Sequence, residues 1–311
     1  MAIRIQRAGR VRWGALAGYV LFGVAMFAVG LVVTFPLERV LGQLTAQVSA
    51  QTGWRVALGS ARWQPPTGLR LGALTGTPPG GPALRLDRVA LQVDPMRLKS
   101  GVLALDHVVK GYGATATGHL EVRGPQAEPG FEWKGAVKGL DLARMPLPPP
   151  GVPMAPWAAG MTMAGRMALE GAAGWRANQF LRGNGEATLQ VTGLSVNLPT
   201  TALGVLELPL GEVSGEAKWQ RGRVDLTGLT VNGELGHAEG SGRILMGTTA
   251  QTTRIDLRFN AELGAGFPMR DIVAGMVGGA DKPVAIGVKG TLANPVMYVN
   301  GRPLSRFMMG S

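Results

Sequence analysis

The chain has 311 residues, of which 46% are hydrophobic and 16% charged, with no cysteine; this excludes disulfides, cysteine–zinc sites and thiol catalysis, and leaves room for one large domain or two smaller ones. Glycine is abundant, with 48 residues, which favours tight turns and closely approaching backbones over long helices. The formal charge is +11, four of it from Arg4, Arg7, Arg10 and Arg12, and the later arginines stand singly, a pattern that speaks against nucleic acid as a partner and fits solvation or anionic lipid headgroups.

Residues 1–12 form a basic tail without an acid. Trp13 to Phe35 then runs through Tyr19, Phe22 and Phe27 with no charged side chain. A helix over that stretch reaches roughly 34 Å, enough to cross a hydrocarbon core of about 30 Å. The arginines precede the span, so the positive-inside bias expects a cytoplasmic N-terminus and places residues 36–311 across the membrane. A cleaved signal peptide is the competing reading. Its apolar run would be shorter, and here no small-x-small site follows directly.

From Leu37 the apolar residues Leu37, Val40, Leu41, Leu44 and Val48 take helical spacing, which predicts an amphipathic helix over 36–52 with Gly53 as its stop. That stripe would pack on the following domain or lie on the membrane surface. After Gly53 the period falls to two. Trp54, Val56 and Leu58 alternate with Arg55, Ala57 and Gly59, and strand-like alternation recurs to Val299.

Six prolines crowd residues 146–156, so that stretch reads as a linker or edge loop between a first β region, 53–145, and a second, 157–311. One helical interruption is expected at Phe267–Met276. Two glycine patterns recur. Gly68-Leu69, Gly139-Leu140, Gly193-Leu194 and Gly228-Leu229 each precede an aliphatic alternation, and Gly118, Gly165, Gly185, Gly215 and Gly242 each open one. Both read as strands entered from glycine turns, within a long antiparallel meander having one apolar and one solvated side.

The expected apolar face carries Trp54, Val56, Leu58, Leu84, Leu86, Leu189, Val191, Val224, Leu226, Ile255, Leu257 and Phe259. That face would be covered by the sheet folding over on itself, or would form a trough filled by lipid or an apolar partner. No catalytic or metal-binding constellation emerges. His107, His119 and His237 have no ligand-like spacing, and no nucleophile elbow or P-loop is present. No cofactor is expected.

Phe35-Pro36-Leu37-Glu38-Arg39-Val40, Gln51-Thr52-Gly53-Trp54-Arg55-Val56, Gly68-Leu69-Arg70-Leu71 and Leu84-Arg85-Leu86-Asp87-Arg88-Val89 before Leu98-Lys99-Ser100-Gly101 resemble the start of the type II secretion system protein N family. The closing Val288-Lys289-Gly290-Thr291-Leu292-Ala293-Asn294-Pro295 also resembles AsmA-like proteins. The resemblance implies a single-pass protein of the Gram-negative inner membrane with a curved, mainly β periplasmic domain. It implies a non-enzymatic accessory role in exporting folded proteins, with the bilayer and other inner-membrane secretion subunits as partners. The alternative it carries is an AsmA-like lipid-handling protein whose sheet shelters acyl chains. None of the matching motifs is catalytic.

Overall fold

In a computed structural model of the chain, the described residues run from 37 to 303, except 66, 80–81, 125–127, 147–159, 178, 201–203, 250, 268–269, 271–278 and 280–281. The basic tail and the expected span at 13–35 lie outside them, as do most of the Pro-rich stretch and most of the helix expected at 267–276. No helix among the described residues is long and apolar enough to cross a membrane. The chain divides into two compact units, Met1–Leu44 and Thr45–Ser311.

Helix α1 spans Leu37–Thr52, close to the expected 36–52. Gly53, at φ 72, ends it, and its N–H donates to the Ser49 carbonyl at 2.9 Å. A left-handed residue directly after a helix is a natural glycine site. Val40 and Leu41 are half-buried and Val48 is exposed; the side chains of Leu37 and Leu44 lie outside the described set.

Fifteen strands follow. They are β1 (Arg55–Gln64), β2 (Gly68–Thr77), β3 (Leu84–Val93), β4 (Leu103–Gly111), β5 (Ala114–Arg123), β6 (Gly130–Asp141), β7 (Thr162–Arg176) and β8 (Asn184–Thr200). Then come β9 (Gly204–Gln220), β10 (Arg223–Gly233), β11 (Gly236–Leu245), β12 (Arg254–Leu263), β13 (Val284–Thr291), β14 (Asn294–Val299) and β15 (Arg302–Pro303). They form one sheet in strict sequence order, each antiparallel to the next. β6 pairs directly with β7, so the regions on either side of the prolines belong to one sheet.

The sheet is open, with β1 and β15 as its two edges. Of the two expectations for covering the apolar face, a sheet folded over on itself is not met. Each strand packs on its neighbours in sequence, and all fifteen described strands belong to this one sheet. A meander repeats the same local pairing, and nothing in the order of strands brings the two edges together.

The glycine patterns differ from the expectation in an instructive way. Gly139, Gly193 and Gly228 do not lead from turns into strands. They sit inside β6, β8 and β10 at φ 73, 63 and 57, where the register shifts by one. Each is a bulge with glycine in the left-handed conformation. A bulge adds one residue and restores the apolar phase, so short alternating pieces fuse into strands as long as 17 residues. Gly68 differs from these three. It is buried at the start of β2, where an added Cβ would lie 2.9 Å from the Gln64 carbonyl oxygen.

A second phase change crosses β1, β2 and β3 as a line. The half-buried positions pass from Val56 and Leu58 to Ala61, from Leu71 to Leu74, and from Leu86 to Val89. Ala73 marks it with φ 48. Pairing across the line keeps apolar with apolar: Leu58 opposite Leu74, Leu74 opposite Leu86, and Leu71 opposite Val89.

Candidate functional site

Side chains of directly paired residues in antiparallel strands share a face, so the pairing traces one face across the whole sheet. From β4 onward it passes through Leu105–Leu120–Trp133–Ala173–Gly185–Trp219–Val224–Ile244–Ile255. A parallel line runs Val109–Ala116–Val137–Leu169–Leu189–Gly215. The far end holds Leu257, Val288 and Met297, with Phe259, Ile286 and Val299 beside them.

All the strand residues expected on the apolar face fall on this one side. Val56, Leu58, Leu84 and Leu86 lie at the β1 end, and Leu189, Val191, Val224, Leu226, Ile255, Leu257 and Phe259 lie along β8–β12. Trp54 precedes β1, yet its ring packs where Gly76 would carry a Cβ, 3.3 Å away. Leu86 Cδ2 lies 3.1 Å from the equivalent position at Gly111, which ties the β1–β3 part to the rest.

Adjacent strands bury much of this face, and nothing described overlies it. Val89, Val191, Ala261 and Val284 are buried, but Trp63 is 41%, Leu103 42% and Met297 37% exposed. A contiguous apolar surface of this extent marks an interaction site. The expected residues are half-buried or buried, so a covering layer would recover only part of the roughly 1.5–3 kcal/mol that full burial contributes apiece.

The second glycine pattern shapes the face. Gly118, Gly215 and Gly242 are mid-strand, not turn, residues. An added Cβ there would run into the His107 ring, Leu229 Cδ2 and Leu257 Cδ2 respectively. Each glycine is a notch into which a neighbour's side chain lies flat. Phe131 and Trp175, paired between β6 and β7, stack with centroids 5.4 Å apart.

Among the described strand residues, one on this face is ionisable. His107 is half-buried on β4 and accepts a hydrogen bond at Nε2 from Trp133 Nε1–H at 3.3 Å. Loss of water around the ring lowers its pKa; Asp106 opposes that shift and His119 adds to it. Imidazole is therefore the favoured form at neutral pH, with its proton on Nδ1.

The opposite face is charged. His119 stands between two carboxylates, with Nδ1 2.6 Å from Asp106 and Nε2 3.2 Å from Glu121. Only the imidazolium donates from both nitrogens. Hydrogen bonds to Asp106 and then Glu121 accordingly raise its pKa. Glu121 also receives Arg123 and Arg97, and its pKa is lowered by the Arg123 bond first and His119 second. Arg97 comes from the short helix Pro95–Leu98, capped by the Asp94 carboxylate accepting from Met96 N–H at 2.9 Å.

Farther along, the pKa of Asp225 is lowered, chiefly by Arg223 and also by Arg243. His237 lies 3.3 Å from Glu239. A cleft of about 720 Å³ on this side is lined by Lys134, Lys218, Glu186 and Asn184 among others. These are ion pairs within and between neighbouring strands on a solvated face. Among the described residues no cluster of histidine and carboxylates could hold a metal ion.

Sequence spacing does not show either histidine environment. His107 and Trp133 are separated by 26 residues and meet only through the β4–β5–β6 register. Compared with family models, curated proteins and solved structures, the chain matches none.

Proposed function

We propose that the chain is a membrane-anchored, non-enzymatic component of the type II protein secretion machinery, working through the apolar face of a periplasmic sheet. The carrying observation is where the resembling stretches fall. Gln51–Val56 joins α1 to β1, Gly68–Leu71 opens β2, Leu84–Val89 opens β3, and Val288–Pro295 bridges β13 and β14. They occupy the strands that follow the apolar span in sequence and the far end of the same sheet. The arginine excess before that span supports an inner-membrane anchor with the sheet in the periplasm.

Placing a carboxylate in the middle of the face tests this reading. Leu226→Asp with Leu257→Asp is expected to leave a membrane-inserted chain but to reduce release of a folded exoprotein at least tenfold in the native host. Arg258→Asp, on the charged face, should leave release unchanged. Normal release by the doubly substituted chain would refute the proposal.

A second reading, AsmA-like lipid handling, is favoured by the openness of the sheet. An apolar face without a second layer accommodates acyl chains as readily as a protein segment. Lipid retained on gently extracted protein would support it.

A further inference from the structure

The two edges of the sheet are unlike. β15 has two residues, one of them Pro303, and β14 beside it carries Pro295. Proline supplies no ladder donor, so that edge is blunted against further pairing. β1 is 10 residues long without a proline, and it pairs only with β2. Val56 N–H turns away from β2 and donates to Ser49 Oγ at 3.4 Å. Residues whose side chains share one face of a strand turn their backbone groups to the same side. Leu58 and Ala61, on the face of Val56, therefore present theirs outward, and no strand among the described residues takes them.

Charge is spread unevenly along the same sheet. β1–β3 carry Arg55, Arg62, Arg70, Arg85 and Arg88 against one acid, Asp87, whereas β7–β15 carry nine Lys or Arg against nine Asp or Glu. All five arginines are exposed, and among the described residues no carboxylate pairs with them. Arg62 sits directly opposite Arg70, and Arg70 reaches the Gln64 amide oxygen at 3.4 Å. Like charges at paired positions destabilise a sheet, so this pair marks a surface that an anion completes. Farther along the same face the signs alternate, with direct pairing through Glu186–Lys218–Asp225–Arg243–Asp256–Lys289. The far strands are neutralised within the sheet; the first three are not.

We propose that the outer edge of β1 accepts an extended, acidic segment of a partner protein as an added strand, its carboxylates meeting Arg55 and Arg62. In this mode the backbone ladder supplies affinity and alternate side chains supply specificity. A second copy of this chain does not fit, since it sets two arginine-rich edges side by side. The longer stretches outside the described residues do not fit either. Residues 1–36, 147–159 and 304–311 contain no acid, and 268–281 is tied between β12 and β13. A lipid headgroup satisfies the arginines but leaves the outward backbone groups of β1 unpaired. The inference rests on neither reading of the apolar face.

The test uses the full chain in detergent and a labelled peptide alternating glutamate with valine, matched in length to β1 and read by fluorescence anisotropy. One comparison peptide carries lysine for glutamate. Another is N-methylated at every residue, which keeps the charge and removes the backbone donors. The glutamate peptide is expected to bind at least about tenfold more tightly than either, the scale of a few hydrogen bonds and exposed ion pairs. Amide hydrogen exchange in the complex should slow at Leu58 and Ala61 and stay unchanged in β14. Ala61→Pro removes an outward N–H without touching the β2 ladder, and should weaken the glutamate peptide about tenfold. Arg55→Glu with Arg62→Glu should reverse the choice toward lysine. Thermal melts of each variant establish that it is folded.

Equal binding of the glutamate and N-methylated peptides would reduce the site to a bare charge contact and overturn the inference. So would protection that falls away from β1, or failure of the glutamate peptide to bind. Displacement of the peptide by phosphatidylglycerol vesicles, with the β1 amides then exchanging freely, would assign the arginines to a lipid surface instead.

Discussion

Replacing Leu189 by proline is expected to open the sheet at its centre without unfolding its ends. Leu189 lies in β8 between Leu169 and Gly215, with strands on both sides. Proline there removes a ladder donor and leaves a neighbouring carbonyl unpaired, at about 1–3 kcal/mol. Losing the leucine side chain adds about 2 kcal/mol or more.

In a layered domain such a lesion spreads through the shared core. Here each strand packs chiefly on its sequence neighbours, so stability behaves as a sum of nearest-neighbour terms, as in repeat proteins. Amide hydrogen exchange should show protection lost across β7–β9 and retained in β2–β4 and β11–β13. Uniform loss over all strands would mean a cooperative core that joins distant strands.

Filling a notch is the second large effect. At Gly215 an added side chain meets Leu229 Cδ2, and the next nearest atoms are 3.6 Å away, so the collision is with one side chain. Gly215→Val is expected to cost about 1–3 kcal/mol, the range for overpacking. Leu229→Ala should relieve most of that cost in the double variant. Denaturant melts of the two singles and the double give the coupling. Simple additivity would show that Leu229 does not lie in the Gly215 notch.

Much of the fold is legible in the sequence, because alternation survives in a sheet solvated on one side. Val224 and Leu226, or Ile255, Leu257 and Phe259, announce their face by spacing alone. The bulges at Gly139, Gly193 and Gly228 are harder to see, since a glycine that resets the phase inside a strand looks like one that begins a strand. Closure is not legible either. Period two gives each strand a face, but whether fifteen strands curl shut depends on small twists summed along the sheet.

The site is half legible for the same reason. Its apolar residues are local signals, whereas the His107–Trp133 pair exists only through register.

The central claim is a single sheet whose apolar face continues past the prolines at 146–156. A chain with no native cysteine allows a direct measurement. Val137→Cys with Leu169→Cys places two thiols in directly paired positions on that face, one in β6 and one in β7. Paired antiparallel positions have Cα atoms about 4.5–5.5 Å apart, within disulfide reach. The account predicts ready oxidation of the membrane-extracted full chain to a cross-linked form. Ala136→Cys with Leu169→Cys, on opposite faces, should remain reduced. Failure of the 137–169 pair to close, while Leu105→Cys with Leu120→Cys in the first region closes, would contradict the account and split the sheet in two.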